Sequence, residues 1–237
     1  SLPVNESIWG LLIVLFIALV IISQFMLTFG SDPNAKVTKK SKSPLSFHPI
    51  ALIFGLLSFV SYLVEGAVGD WSALYLFEDK GIVIEEAVMG VMLFNGTMCI
   101  GRLLGNRLGK HLTSKQVVVG GYLLGSIAMG LIVFLPGHAS MYTYLLLGIS
   151  LAMIVPNLFS AMGEQNVIPM TQAVATSTML GYMGILMGPA LIGFIAHGTS
   201  LTVAFIVLTT LLVVSAGIGK YAYHLMSKDC GLSEEQI

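Results

Sequence analysis

The sequence predicts an all-α, polytopic membrane protein with seven transmembrane helices. Three observations lead there. Of the 237 residues, 56% are hydrophobic and only 10% are charged, against roughly 25% charged in a soluble domain. Seven apolar runs lie near 8–29, 49–76, 86–105, 116–135, 141–162, 173–196 and 201–222, each close to the roughly 20 residues that cross a hydrocarbon core. Lysine and arginine also collect on one side of the alternating loops. Lys36 to Lys42, Arg102 to Lys115, Lys220 and Lys228 fall together, and Lys80 alone falls opposite. The positive-inside rule then places the N-terminus of this chain outside and its C-terminus in the cytoplasm. Glu6, Glu78, Asp79, Glu85 and Glu86 fall on the outer side.

The runs divide the chain into a single helix (1–29), a basic cytoplasmic loop (30–48), a six-helix block (49–223) and a cytoplasmic tail (224–237). The loop is lysine-rich, with Pro33 and Pro44 near its ends, and reads as a flexible linker. The first run is too long for a signal-peptide core and has no basic segment before it. The chain begins with Ser1 and reads as a piece of a longer protein. Cys99 falls in a span and Cys230 in the tail, so no disulfide framework is implied. The 26 glycines suit helices that pack at short range.

The second run is the most informative. Ser58, Ser61, Tyr62, Glu65, Gly69 and Ser72 recur at helical spacing and form one polar stripe. Leu56, Leu57, Phe59, Val60, Leu63, Val64 and Val68 occupy the other faces. An acid at bilayer depth costs roughly 2.5–3.5 kcal/mol on insertion scales, which makes Glu65 a functional candidate. The competing reading is a structural hydrogen-bond partner, or a carboxylate high enough to reach the headgroups. The depth depends on Gly66 and Gly69, where the run is expected to bend or leave the membrane.

Further polar residues dot the later runs. Asn95 is near the middle of the third. Ser150, Asn157, Ser160 and Glu164 share a face of the fifth, beside Pro156, and Ser177, Thr178 and Tyr182 lie in the sixth. Each could line a lumen or form a hydrogen bond between helices. Trp71 and Tyr75 read as an outer aromatic belt.

Three motifs carry a family resemblance. The third run ends in a glycine- and arginine-rich turn, and its core reads Asn106-Arg107-Leu108-Gly109-Lys110. This resembles the loop signature of the major facilitator superfamily, Asp-Arg-x-Gly-Arg/Lys, with Asn106 in place of the Asp and the leading Gly displaced to Gly101. The sixth run carries Gly181, Gly184, Gly188-Pro189 and Gly193, similar to helix 11 of that family. The stretch from Glu65 through Gly69-Asp70-Trp71 to Leu76 resembles helix 7 in a bacterial inner-membrane branch of unassigned substrate, loosely like symporters of the fucose permease type.

The resemblance implies that residues 49–223 are helices 7 to 12, one half of a major facilitator fold, and that the first run is helix 6. It implies a secondary carrier in a bacterial inner membrane that works by alternating access. Such a carrier is expected to move a sugar or other small polar metabolite, with protons, and to need helices 1 to 5 as its other half. Glu65, Tyr62, Ser61, Asn95, Asn157 and Tyr182 are the expected substrate-binding or proton-coupling residues. Arg102, Asn106, Arg107, Lys110 and Glu164 form the expected inner gate, with Glu164 paired to Arg102 or Arg107.

A seven-helix receptor or rhodopsin-like protein shares the topology, but Lys220 lies at the end of the last run, not at its middle. An intramembrane enzyme would need paired acids, a metal cluster or a Ser–His couple at one depth. His48, His111, His138, His197 and His224 all flank the runs. No enzyme activity, cofactor, metal or nucleic-acid partner is expected.

Overall fold

The computed structural model describes residues 13, 16, 17, 20, 45, 47–108, 112–165 and 167–230, with backbone alone at 106–108, 229 and 230. The chain divides into two units, residues 1–42 and 43–237. In the first, Ile13, Phe16, Ile17 and Val20 are helical. The rest of that unit, the gate residue Lys110 and the end of the tail lie outside the described residues, as do the side chains of Asn106 and Arg107.

The second unit is a helical bundle. Its elements are α1 (Pro49–Glu78), α2 (Ile84–Leu108), α3 (Ser114–Phe134), α4 (Gly137–Ala152), α5 (Ile154–Glu164), α6 (Met170–Gly198) and α7 (Leu201–Cys230). With α4 and α5 counted together, six described segments are long and apolar enough to cross a membrane.

α1 runs unbroken for 30 residues. The helix continues through both Gly66 and Gly69, without the bend or exit from the membrane expected there; Gly66 packs against Ile185 of α6, while Gly69 is exposed with open space before it. His48 caps the helix start in extended geometry, and Pro49 follows with its φ already helical. At the other end Gly81 takes φ +68°, and Ile82 N–H donates to Leu76 O, a left-handed stop that glycine makes cheap.

The fifth run, expected as one helix, breaks at Met153 into α4 and α5. Pro156 has no N–H to return to Ala152 O, so the ladder fails one turn before it. α3 starts on a capping box in which Thr113 and Gln116 satisfy each other's backbone N–H groups. α2 opens with Glu85 and Glu86 at its positive end. Glu86 also meets His138 at the start of α4, with Nε2 and Oε2 2.7 Å apart.

α1 is the hub and touches α2, α4, α5, α6 and α7, with α6 its most extensive partner. Gly184 and Gly188 of α6 lie directly on the carbonyl oxygens of Phe59 and Leu63, and Gly181 lies on the Tyr62 ring. A Cβ at any of the three would collide, so backbone meets backbone. Gly193 sits under the Trp71 ring. The apolar core is filled by Phe54, Tyr75, Phe205 and Tyr223; Phe54 meets Tyr223 edge-on, and Tyr75 stacks on Phe205 at 4.2 Å. Tyr75 is fully buried, so it does not stand in an aromatic belt as expected.

Candidate functional site

Helix geometry divides the polar stripe of α1. At about 100° per residue its six positions spread over roughly 100° of arc. One edge, with Ser61 and Ser72, turns into the bundle and is buried, and Ser58 is covered by α6 at Gly181. The other edge, with Tyr62 and Gly69, looks outward, and Glu65 lies between the two.

Glu65 meets Arg102 of α2. The Arg102 Nη2 donates to both carboxylate oxygens, at 3.2 Å and 3.4 Å. The side chains are 22% and 44% exposed, so the pair sits on an open face of this unit and not in its core. Its depth follows from α3. Tyr122, ninth of the 21 residues of α3, bonds Ser61 at 2.8 Å. Glu65 lies one turn beyond Ser61, so its carboxylate falls near the middle of α1 and α3, whereas Arg102 is residue 19 of the 25 in α2 and reaches it from nearer that helix's end.

Around the pair stand an amide and two rings. Tyr62 and Tyr182 stack with centroids 6.1 Å apart and planes at 9°. Tyr182 is exposed on α6. Asn95 lies two turns before Arg102 on the same face of α2, exposed, with its amide nitrogen bonded to Val91 O. The open face thus combines a charge pair, an amide and an aromatic platform.

Other expected residues are placed elsewhere. Ser61 is buried and bonds Tyr122, whose own hydroxyl donates to Leu57 O at 2.7 Å. Ser61 is therefore the donor of that pair and does not reach the open face. Asn157 donates both its backbone N–H and its side-chain amide to Met153 O, at 3.2 Å and 2.8 Å, so its amide is spent just past the break between α4 and α5. Ser160 bonds Pro156 O, and Ser177 bonds the Met162 sulfur.

Arg102 finds Glu65 and not Glu164, because its position well inside the end of α2 lets it reach α1 sideways. Glu164 is exposed at the end of α5. Trp71, expected in the belt, donates its indole N–H to Pro189 O at 2.9 Å. Among the described residues no group of three or more His, Cys, Asp and Glu stands ready for a metal.

Sequence reasoning missed two features. One is Arg102 as the partner of Glu65. Its signal was an arginine still inside an apolar run, on a neighbouring antiparallel helix. The other is Lys80, the lone basic residue of its side. Its ammonium donates to Val133 O and Leu135 O at 2.6 Å and 2.9 Å and caps the negative end of α3. Beside it Asp79 accepts from Thr202 at 2.8 Å. Burial lowers the Lys80 pKa from its ordinary value, and Asp79 offsets part of that.

No family model matches the chain. It is 41% identical over 168 residues to an uncharacterized MFS-type transporter of Yersinia pestis, a match that covers 70% of this chain and 43% of the relative. It is 30% identical over 170 residues to the membrane protein MosC of Rhizobium meliloti, with 70% and 42% covered. The chain thus spans less than half the length of these curated relatives. Among solved structures it superposes on a variant of the Escherichia coli fucose:proton symporter FucP, with a TM-score of 0.65 at 16% identity. That superposition covers 74% of this chain and 43% of FucP, in the C-terminal half of that protein.

Proposed function

Because this chain belongs to the major facilitator superfamily and carries the C-terminal half of its fold, we propose that it is half of a proton-coupled carrier for a sugar or other small polar metabolite, working by alternating access. The observation that carries the reading is the Glu65–Arg102 pair on an open face, with the carboxylate near the middle of α1, beside the Tyr62–Tyr182 stack. An intramembrane ion pair is costly and is kept where it moves charge or substrate. The Yersinia pestis relative is named as a transporter, which leaves the receptor reading without support.

The chemistry follows from the groups present. An ionised Glu65 holds Arg102 through charge-assisted hydrogen bonds. A proton on Glu65 removes the attraction and frees the guanidinium, whose donors then suit substrate oxygens. Return of the proton to the opposite side would let the pair reform, so proton and substrate move in step. The stacked tyrosines offer a flat apolar surface to a sugar ring, and Asn95 offers an amide to its hydroxyls. The binding site of such a carrier lies between two halves. Helices 1 to 5 would therefore be the partner, in a bacterial inner membrane with the C-terminus cytoplasmic. At the cytoplasmic end Glu164, with Asn106 and Arg107 in the last turn of α2 and Lys110 just after it, would close the inner gate.

The test is Glu65→Gln in the complete two-half protein, reconstituted in vesicles and supplied with a panel of sugars and small metabolites. Loss of proton-driven accumulation with exchange retained supports coupling, and loss of both supports direct binding. Unchanged accumulation across pH reduces Glu65 to a structural residue.

A further inference from the structure

Glu65 and Arg102 are alone in charge on the three helices that frame the open face. Across 51–69 of α1, 87–105 of α2 and 170–196 of α6, every other residue is uncharged. Asp70 follows on α1, but five residues turn it about 140° away from Glu65.

The pair as it stands is neutral. Arginine keeps its charge in proteins. When Glu65 takes a proton, one positive charge is therefore left on the face. A neutral solute accepts hydrogen bonds there but leaves that charge uncompensated, and an unpaired charge within a span is costly. A carboxylate restores the balance.

The geometry suits such an exchange. Only Nη2 of Arg102 reaches Glu65, at 3.2 Å and 3.4 Å. Charge-assisted bonds of this kind are usually ~2.7–2.9 Å long, so the hold is loose. Among the described residues Arg102 makes no other hydrogen bond, which leaves Nε and Nη1 open. The guanidinium fork takes an incoming carboxylate through two parallel bonds.

One turn from Glu65, the Tyr62–Tyr182 stack presents aromatic rings. Met179 and Leu186 share the Tyr182 face of α6 and are exposed. That part of the face favours a flat apolar body over a polyol.

We propose that the solute is an organic monocarboxylate with a flat apolar body. Its carboxylate displaces that of Glu65 from Arg102, and its body lies against Tyr62 and Tyr182. The proton goes to Glu65, one carboxylate replaces another on Arg102, and one anion crosses with one proton without net charge. The assignment rests on the carrier reading and narrows its solute.

The experiment uses the complete two-half protein and acid–amide pairs of matched shape: nicotinate and nicotinamide, benzoate and benzamide, phenylacetate and phenylacetamide. Glucose and fucose stand for neutral sugars. Equilibrium binding is measured at neutral pH with radiolabelled compounds. At least one acid should bind about tenfold or more tightly than its amide. Glu65→Gln leaves Arg102 permanently free and should tighten that acid several-fold. Arg102→Gln should remove the binding, and Arg102→Lys, which keeps the charge without the fork, should recover it in part. A purely structural pair would not move the two variants in opposite directions. Amides bound as well as their acids, no acid bound, or weaker acid binding in Glu65→Gln overturns the proposal. In vesicles a proton gradient should drive accumulation of the bound acid. Proton-driven uptake of a sugar but of no acid overturns the proposal and leaves the carrier reading intact. No uptake of any compound overturns the carrier reading itself, and the proposal with it.

Discussion

Trp71 of α1 donates its indole N–H to the carbonyl oxygen of Pro189 in α6, across 2.9 Å. Pro189 has no N–H of its own, so the Ile185 carbonyl one turn earlier loses its intrahelical donor. Gly66 lies against that same carbonyl, where a Cβ would come within 2.9 Å of its oxygen. α1 therefore grips both carbonyls that flank the proline turn, and Glu65 is the residue beside Gly66. Trp71→Phe removes the hydrogen bond together with the outer indole ring atoms that lie on Gly193. It should cost about 0.5–1.5 kcal/mol, read as a lower denaturation midpoint in detergent. An unchanged midpoint would show that the bond contributes nothing net.

The glycines of α6 should rank by what they touch. Gly184→Ala and Gly188→Ala each drive a methyl group onto a backbone carbonyl of α1, and overpacking of this kind costs about 1–3 kcal/mol. Gly69→Ala has open space before it and should stabilise α1 by roughly 0.5–1 kcal/mol through helix propensity. Equal effects at all three positions would contradict the close α1–α6 contact.

The Glu65–Arg102 pair should matter more to transport than to stability. Both side chains are partly exposed, and pairs of that kind contribute about 0.2–1 kcal/mol in double-mutant cycles. A cycle of Glu65→Gln and Arg102→Gln on this chain should give a coupling in that range. Either single change in the complete carrier should abolish accumulation. A coupling of several kcal/mol with transport intact would assign the pair to the fold.

Lys80 should leave an alkaline signature. Its folded pKa lies below its ordinary value, chiefly through burial. Between the folded and unfolded values the unfolded chain binds more protons, so stability rises with pH there. The Lys80 contribution is thus least favourable below the folded pKa and is gained as pH climbs toward the ordinary lysine range. The slope of stability against pH in that window should be more positive in the unaltered protein than in Lys80→Gln. Identical slopes would mean that the ammonium is fully solvated.

Residues 1–237 alone should not transport, because the proposed site needs a facing half. Reconstituted uptake by this chain, without evidence that two copies pair, would refute the two-half reading.

Much of the architecture was legible in the chain because the membrane imposes simple rules. A bilayer demands apolar runs of fixed length, so the spans from Pro49 to Lys228 are visible in hydropathy. Close helix contact demands small residues four apart, so Gly181, Gly184 and Gly188 announced the α6 face that meets α1. The polar stripe around Glu65 was visible for the same periodic reason. What the stripe could not reveal was which edge faced inward, since a helix repeat locates residues on a cylinder and says nothing of what surrounds it. Only the packed bundle turned Ser61 toward Tyr122 and left Tyr62 beside Tyr182. Tyr75 looked like a belt residue by its place near a helix end, yet its stacking on Phe205 needs α7, more than a hundred residues away. Partner choice was likewise tertiary. Arg102 is 37 residues from Glu65 in sequence, and no local pattern favours that carboxylate over Glu164. The antiparallel register of α1 and α2 decided it, by bringing the two side chains to one depth on one open face.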